Sequence, residues 1–443
     1  MLDGREFTTR IDDLLSRRAA VGLAIGVVRD GSLEFFAGRG VADLGTRAPV
    51  TEDTIFRIAS ITKTFTAIAA MQLWERGLID LDAPANDYLR AYRLVPRDPR
   101  WRAATVRHLL THTAGVSQAP RRAEAFRGDI AQSVPMGHPV PTLAEWYRGA
   151  LRLEVEPGTR FRYSDHGFAT VGQLVEDVSG QPLARYLREH VFEPLGMTDT
   201  TLDRAEIDLG RLATGYTIGS GGPALAPERD YVTAGAASAY TTARDMARYL
   251  AALTGEGRNA HGMVLDPTTM AMMFDAHSLS DPRLPGMGLS FFRAELSGRR
   301  LVEHAGLIPG FDSQIVVAPD DRVGVMAFTN GSADAVQWLS GETRRLLADL
   351  LGVAPATTRT DVPQHPELWA DLCGWYRVRG PVGDVRLSAM VGAGLEVFAR
   401  GGRLRLRFLT PIPPLYRGFD LHPRRPRRSI RVPYGRGPRG RPQ

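Results

Sequence analysis

A serine and a lysine stand three residues apart in the segment Ser60-Ile61-Thr62-Lys63, at the start of an apolar stretch. Positions three apart on a helix share a face, so the Lys63 amine can reach the Ser60 hydroxyl. The start of a helix disfavours a nearby ammonium and favours developing negative charge, which eases ionisation of a serine beside a neutral lysine. The pair predicts a nucleophilic Ser60 that forms a covalent acyl-enzyme, with Lys63 as its activating base.

The use of basic residues singles out the same lysine. Of the 55 basic residues, 54 are arginines and one is Lys63. Arginine keeps its charge and cannot accept a proton, whereas a lysine amine can be deprotonated where its surroundings lower its pKa. The alternative is that one lysine survived by chance. The apolar neighbours and the nearby serine favour a chemical role for the amine.

Five segments, in order along about residues 10–350, resemble the serine β-lactamase-like hydrolases. This family includes class C β-lactamases, D,D-peptidases, D-aminopeptidases and related esterases. The matching segments are FRIASITKTFTA at 56–67, TVRHLLTHTAGV at 105–116, PGTRFRYSDHGFATVG at 157–172, TTARDMARYL at 241–250 and VEHAGLIPGF at 302–311. Several ordered matches are more specific than any one motif.

The second chemical element is Tyr163-Ser164-Asp165, which stands where the family has Tyr-x-Asn. The resemblance implies that Tyr163 lies beside the serine and lysine and passes protons to and from the leaving group. A ring packed for structural reasons alone is the alternative. Asp165 replaces the usual asparagine, so a carboxylate that only accepts hydrogen bonds stands in a predicted substrate-binding position. Near Lys63 it would raise the lysine pKa and attract substrates with a free amine.

The third element is His304-Ala305-Gly306, where the family has Lys-Thr-Gly or His-x-Gly. The resemblance implies that the backbone N–H groups of Ser60 and Leu307 form the oxyanion hole. It also implies that Gly306 lets substrate approach the strand closely. His304 would orient a substrate carboxylate or assist proton transfer, and a purely structural histidine is the alternative.

These departures change the substrate that the resemblance implies. The chain lacks the amide that donates to a penicillin side chain and the lysine charge that meets a penicillin carboxylate. Hydrolysis of small esters or amides is therefore favoured over penicillin hydrolysis. A D-stereospecific aminopeptidase or D,D-peptidase is the second enzymatic hypothesis. The alternative from another class is a catalytically silent ligand-binding or sensor module, which retention of the serine, lysine and tyrosine together disfavours.

The sequence lacks the motifs of other hydrolase classes and of phosphate-binding proteins. The chain has no G-x-S-x-G elbow, and its lysine follows a threonine rather than the glycine of a phosphate-binding loop. His108 and His112 have metal-ligand spacing, but Leu109 stands where a zinc protease needs glutamate, which favours hydrogen bonding at a helix end. We expect no metal and no cofactor, and a small ester, amide or peptide as substrate.

The elements that must position these residues indicate an α/β protein of the α+β type. An antiparallel sheet would be flanked by helices, with the first and last helices on one face and a helical insertion, about residues 105–255, on the other. The predicted strands are 21–28, 32–40, 288–295, 300–304, 312–318 and 322–329, with a helix at 61–76 and a closing helix at 334–351.

The domain organisation follows from changes in composition. We predict a hydrolase domain at 1–352, a linker at 353–366, a small β domain at 367–422 that resembles a lipocalin-like domain without enough strand for a closed barrel, and a disordered tail at 423–443. The tail holds eight arginines and no acidic residue, so subtracting eight from the net charge of +6 leaves −2 for the rest. A body with that charge does not predict a nucleic-acid partner.

Cysteine content and hydropathy bear on the cellular compartment of the protein. Cys373 is the only cysteine, so an intrachain disulfide is excluded. No stretch reaches the apolar length of a membrane span, and the first twenty residues do not resemble a secretory leader. We therefore expect a cytoplasmic protein without a membrane span, and the sequence leaves the oligomeric state open.

Overall fold

In a computed structural model of the chain, the structure describes residues 4–118, 132–279, 281, 284–332, 338–354, 365–376, 394–410 and 416–422. The chain divides into two compact units, Met1–Pro355 and Ala356–Gln443. The predicted tail lies outside the described residues, as does most of the predicted linker.

The described helices and strands are as follows. The α-helices are α1 (Gly4–Arg17), α2 (Thr62–Glu75), α3 (Val106–Leu110), α4 (Leu143–Tyr147), α5 (Asp165–Ser179), α6 (Leu183–Leu187), α7 (Ala234–Ala237), α8 (Ala243–Thr254), α9 (Pro267–Phe274), α10 (Trp338–Leu350) and α11 (Trp369–Leu372), and a 3₁₀ turn, Ala59–Ile61, precedes α2. The strands are β1 (Gly22–Arg29), β2 (Ser32–Gly40), β3 (Phe56–Arg57), β4 (Arg93–Pro96), β5 (Ser133–Pro135), β6 (Ala150–Leu153), β7 (Tyr216–Gly219), β8 (Gly222–Leu225), β9 (Arg229–Tyr231), β10 (Tyr240–Thr241), β11 (Phe292–Leu296), β12 (Arg299–Ile308), β13 (Phe311–Ala318), β14 (Val323–Thr329), β15 (Gly331–Ser332), β16 (Gly374–Tyr376), β17 (Leu395–Arg400), β18 (Arg403–Phe408) and β19 (Phe419–Asp420).

The central sheet joins the start and the end of the larger unit. Its strand order is β11-β12-β13-β14-β1-β2, and every neighbouring pair is antiparallel. Asp30 and Gly31 form the first hairpin turn with φ values of 48° and 81°, as a two-residue turn between twisted strands requires. The next contact is long-range, because β1 pairs with β14 so that Ile25 faces Ala327. The predicted antiparallel sheet is confirmed.

Two strand boundaries differ from the prediction. The strand predicted from residue 288 begins at Phe292, because Ser290 takes a φ of 76° and the Gly288 N–H donates to the Phe291 carbonyl oxygen at 2.8 Å. The strand predicted to end at residue 304 continues to Ile308 as β12. The added residues include Gly306, which lies against Ile58 and Ala59, directly before Ser60.

The two faces of β1 show how the layers are arranged. Leu23, Ile25 and Val27 pack in one buried cluster with side chains of α1 and α10. Ala24 and Val28 point into a second cluster, which includes side chains of α2 and α8. A fully buried aliphatic side chain stabilises the fold by about 1.5–3 kcal/mol, so both layers anchor the sheet. The predicted placement of the first and last helices on one face is confirmed.

The helical block carries two caps that position helices. The Ser164 hydroxyl accepts a hydrogen bond from the Gly167 N–H at 3.1 Å and so begins α5. At Thr242 and Asp245, only half of a capping box is present. Thr242 accepts from the Asp245 N–H at 3.2 Å, but the Asp245 carboxylate turns away and accepts from the Asp199 N–H at 2.7 Å. The block also contains short strands, from β5 to β10, that helical patterning did not predict.

The smaller unit contains a four-stranded antiparallel sheet in the order β16-β17-β18-β19. Val397 and Leu404 are its buried aliphatic side chains among the described residues. The lipocalin-like domain stays a prediction, because residues 377–393 and 411–415 lie outside the described part. In the portions of both units that the structure describes, we find no helix with the length and apolar character to cross a bilayer.

Candidate active site

Ser60 lies on a constrained turn at the start of a buried helix. Ala59, directly before it, takes a φ of 48°, in the left-handed region that a residue with a Cβ rarely adopts. Hydrogen bonds hold this turn on both sides: the Ile58 N–H donates to the Ala239 carbonyl oxygen at 3.1 Å, and the Thr62 hydroxyl donates to the Ala59 carbonyl oxygen at 2.6 Å. Ser60 stays partly exposed while the residues on either side of it are buried.

The Lys63 side chain is 0% exposed, and its ammonium has three acceptors. Nζ lies 2.9 Å from the Ser60 Oγ, 2.5 Å from the Asp165 Oδ1 and 3.0 Å from the Ala236 carbonyl oxygen. The contact between amine and hydroxyl that the spacing predicts is present. The Ala236 carbonyl, on α7, is a member of the site that sequence reasoning missed.

Asp165 begins α5 and has hydrogen bonds on both oxygens. Besides the Lys63 contact at Oδ1, its Oδ2 accepts from the side-chain amides of Gln132, at 2.5 Å, and of Gln118. The Asp165 N–H in turn donates to the Gln118 Oε1 at 2.7 Å. Both glutamines were missed, and neither stands in a spacing pattern with Asp165 that could have revealed it. The predicted contact between Asp165 and substrate stays a prediction.

The charges of this buried pair control each other. Burial alone would lower the pKa of the Lys63 ammonium, but the nearby Asp165 carboxylate outweighs it and holds the pKa above the ordinary value. Burial alone would raise the pKa of Asp165, but the Lys63 charge and the hydrogen bonds to it hold that pKa well below its usual range. The resting site therefore contains an ammonium and a carboxylate.

Tyr163 covers the ammonium. The Lys63 Nζ lies 4.9 Å from the centroid of the tyrosine ring, within the range of a cation–π contact. Burial raises the pKa of the Tyr163 phenol, although the Lys63 charge and hydrogen bonds with Lys63 and Ser60 act in the opposite direction. The structure thus brings Tyr163 to both predicted partners, with its phenol protonated.

His304 lies on β12 as a neutral side chain. Its Nδ1 lies 2.7 Å from the Ala305 carbonyl oxygen, which can only accept, so Nδ1 carries the proton and Nε2 carries a lone pair. Burial, together with the charge of Lys63, lowers the pKa of His304 to about 3. A neutral ring with a lone pair at Nε2 gives a substrate carboxylate no positive charge to bind. The predicted role of His304 toward substrate stays untested.

Gly306 has a reason in the fold itself. A Cβ at this position would lie 2.2 Å from the Ile58 carbonyl oxygen and 3.1 Å from the Ala59 Cβ. Only a glycine therefore lets β12 reach the turn before Ser60. The sequence predicted a different reason, close approach of substrate to the strand. The oxyanion hole formed by the N–H groups of Ser60 and Leu307 stays a prediction.

Aromatic rings surround the tyrosine and were not predicted as part of the site. The Phe292 ring lies 6.3 Å from that of Tyr163, 5.5 Å from that of His304 and 6.1 Å from that of Phe161. The His112 ring also packs against Tyr163, with ring centroids 4.3 Å apart. These rings give one wall of the site an apolar character.

The two histidines with metal-ligand spacing serve the backbone. The Nδ1 of His108 accepts from the Thr105 N–H at 3.2 Å and completes the cap of α3, and the Nδ1 of His112 accepts from the Ser164 N–H at 3.2 Å. The hydrogen-bonding interpretation is confirmed for both. Among the residues that the structure describes, no group of three or more acidic, histidine or cysteine side chains could hold a metal ion.

Comparison with known proteins finds similar sequences and structures over most of the chain. The beta-lactamase family model matches residues 7–350. Esterase EstB of Burkholderia gladioli is 28% identical over 346 residues, covering 69% of this chain and 85% of the esterase. Penicillin-binding protein 4 of Amycolatopsis lactamdurans is 27% identical over 394 residues, covering 85% of this chain and 98% of that protein. The structure of an octameric penicillin-binding protein homologue from Pyrococcus abyssi is similar at a TM-score of 0.69 and 26% identity, covering 93% of this chain and 89% of that one.

Proposed function

This chain belongs to the beta-lactamase family, and we propose that it hydrolyses small esters or amides through an acyl-enzyme on Ser60. The observation that carries the proposal is the 2.9 Å contact between the Lys63 Nζ and the Ser60 Oγ, beside the Tyr163 hydroxyl. Covalent catalysis is expected where a nucleophile and a base lie within hydrogen-bonding reach and a third group orients the base. Asp165 is that third group.

The proposed reaction has two halves. The Lys63 ammonium first loses its proton to solvent. The neutral amine then accepts the Ser60 proton, directly or through Tyr163, while the Ser60 Oγ attacks the substrate carbonyl carbon. The N–H groups of Ser60 and Leu307 donate to the oxyanion, the bond to the leaving group breaks, and Tyr163 returns the proton to the leaving group. Water then attacks the acyl carbon and gives a proton to the same groups. The bond between the acyl carbon and the Ser60 Oγ breaks, the carboxylic acid leaves, and that proton returns to Ser60.

Two features support esters over penicillins as substrates. Penicillins carry a carboxylate, and neutral His304 provides no charge for it. Asp165 accepts hydrogen bonds and has no amide N–H to donate to a penicillin side chain. The esterase relative from Burkholderia supports the same choice. An amide substrate with a free amine is a weaker candidate, because both Asp165 oxygens already have partners within the chain.

The test combines covalent labelling with a substrate screen. A fluorophosphonate probe and peptide mass mapping should find the adduct on Ser60 and none in the Ser60→Ala variant. The screen should show faster turnover of p-nitrophenyl esters than of D-amino-acid anilides or a chromogenic cephalosporin. A folded protein that gives no adduct under any condition would favour the binding-module alternative. Faster turnover of the cephalosporin would contradict the ester assignment.

A further inference from the structure

A second cavity lies in the larger unit and shares α7 with the candidate active site. Its volume is about 740 Å³, and Ala234 and Gly235 of α7 are part of its lining. The next residue of this helix, Ala236, accepts the hydrogen bond from Lys63. Among the described residues, Ser60 and Lys63 do not line this cavity. It is therefore a space distinct from the candidate active site.

A buried arginine faces this cavity. Arg57 is only 7% exposed, and it lies in β3 opposite Tyr240 of β10. Its guanidinium carbon is 5.2 Å from the centroid of the Tyr240 ring and 5.4 Å from that of the Tyr231 ring. Both tyrosines line the cavity as well. The two aromatic rings hold the arginine in place by cation–π contacts.

The charge of Arg57 is not neutralised within the part of the chain that the structure describes. No carboxylate there lies within ion-pair distance of it, and its Nε is buried without a hydrogen-bond partner. The three carboxylates that line the same cavity, Glu176, Asp203 and Asp230, each accept a hydrogen bond from a backbone N–H instead. A buried guanidinium without a counter-charge is unfavourable, because it loses hydration without compensation.

We propose that this cavity is a second binding site, for a small carboxylate with an apolar body. The ligand carboxylate pairs with the planar guanidinium of Arg57 between the two tyrosine rings, a geometry that arginine and carboxylates favour. The apolar body packs against the aliphatic lining, which includes Leu183 and Leu202. A volume of about 740 Å³ lies within the roughly 300–1,000 Å³ typical of small-molecule sites.

The experiment measures binding of phenylacetate and of phenylacetamide, which differs in having no carboxylate, by calorimetry at low ionic strength. Wild type and the Ser60→Ala variant should both bind phenylacetate, and neither should bind the amide. Arg57→Met should reduce affinity by about tenfold or more, since the charge-assisted pair is lost. Arg244→Met is the matched control, because this arginine pairs with Asp53 on the surface and should leave affinity unchanged.

Two results would overturn the proposal: equal affinity for phenylacetate and phenylacetamide, or unchanged affinity in Arg57→Met. A measurement on wild type alone guards against a variant that fails to fold. Phenylacetate should raise the melting temperature of wild type and phenylacetamide should not, because a ligand that binds only the folded state stabilises it. Binding retained in Ser60→Ala, which has lost the proposed nucleophile, keeps this test separate from that of the catalytic function.

Discussion

Two buried cations, six residues apart in the sequence, have opposite environments. Lys63 is enclosed by a carboxylate, a carbonyl oxygen and the Ser60 hydroxyl, so its charge is compensated within the chain. Arg57 is held between two tyrosine rings, with no carboxylate at ion-pair distance among the described residues. We propose that the first charge belongs to the reaction site at Ser60 and that the second takes its counter-charge from a bound carboxylate.

The largest effect should come from Lys63→Arg. Arginine keeps the positive charge and can still pair with Asp165, but it cannot accept the Ser60 proton. We expect kcat/KM for a p-nitrophenyl ester to fall by roughly 10³-fold or more, in the range that loss of a general base costs. Steady-state kinetics measure this loss, with Ser60→Ala as the reference for complete loss.

Circular dichroism and the melting temperature provide the control for this variant. A folded Lys63→Arg protein with a near-normal kcat would remove Lys63 as the base. A positive charge at position 63 would then be sufficient for turnover. Lys63 would have no proton-accepting role to distinguish it from Arg57.

Replacing Lys63 or Arg57 by methionine tests, through the free energy of unfolding, whether the charge of each is compensated within the chain. Lys63→Met leaves the Asp165 carboxylate buried without its ammonium, and breaking a buried ion pair in this way costs about 3–5 kcal/mol. Arg57→Met removes a charge that has no partner and keeps an apolar stem between the rings. We expect a change in unfolding free energy within about 1 kcal/mol for this variant, because the loss of two cation–π contacts is offset by removal of the cost of burying an uncompensated charge.

Urea unfolding at neutral pH, without carboxylate buffers, measures both values. A loss in Arg57→Met as large as that in Lys63→Met would mean that Arg57 is already compensated. The loss in Lys63→Met should also become smaller at low pH, because protonation of Asp165 removes the unpaired charge.

Asp165→Asn should move the acidic limb of the pH profile. Asp165 holds the Lys63 pKa above its ordinary value, so the neutral base forms only at high pH. The amide removes that effect, the lysine pKa falls, and the acidic limb of kcat/KM should shift to lower pH by about one unit or more. Asp203→Asn is the control, because this carboxylate lines the other cavity and should leave the limb in place. An unchanged limb in Asp165→Asn would show that Lys63 does not titrate there.

The same ion pair determines how wild-type stability depends on pH. The folded-state pKa of Asp165 is lowered, so its contribution is present above the unfolded value of about 3.9 and is lost as pH falls below it. The folded-state pKa of Lys63 is raised, so its contribution is present below about pH 10.4 and is lost as pH rises through the folded-state pKa. Asp165→Asn should make the acid-side loss in a melting-temperature profile smaller, while other carboxylates with a lowered pKa, such as Asp43, maintain the remainder.

The sequence predicted those features that depend on local spacing. Ser60 and Lys63 share a face because of their separation along the chain, and the sheet follows from apolar runs of strand length and the turns between them. Gln118, Gln132 and the Ala236 carbonyl reach the same site through tertiary packing, with no periodic relation to Lys63. The different environments of Arg57 and Lys63 also depend on tertiary packing: both lie in one matched segment, and only folding decides that a carboxylate reaches one of them.

The smallest effect should come from His304→Asn. This variant tests whether His304 becomes a third buried cation, beside Lys63 and Arg57, during turnover. Burial, together with the charge of Lys63, lowers the pKa of His304 to about 3, so the ring stays neutral throughout the pH range in which the ester is hydrolysed. Asparagine has a donor that can replace Nδ1–H toward the Ala305 carbonyl oxygen, and it has no titrating group. We expect the acidic limb of kcat/KM to stay at the same pH, and kcat/KM to fall by less than the roughly 100-fold that loss of a general acid or base costs. A limb that disappears or moves in this variant would show that His304 ionises during turnover. Lys63 would then share the site with a second cation, and the acidic limb could no longer be assigned to the lysine alone.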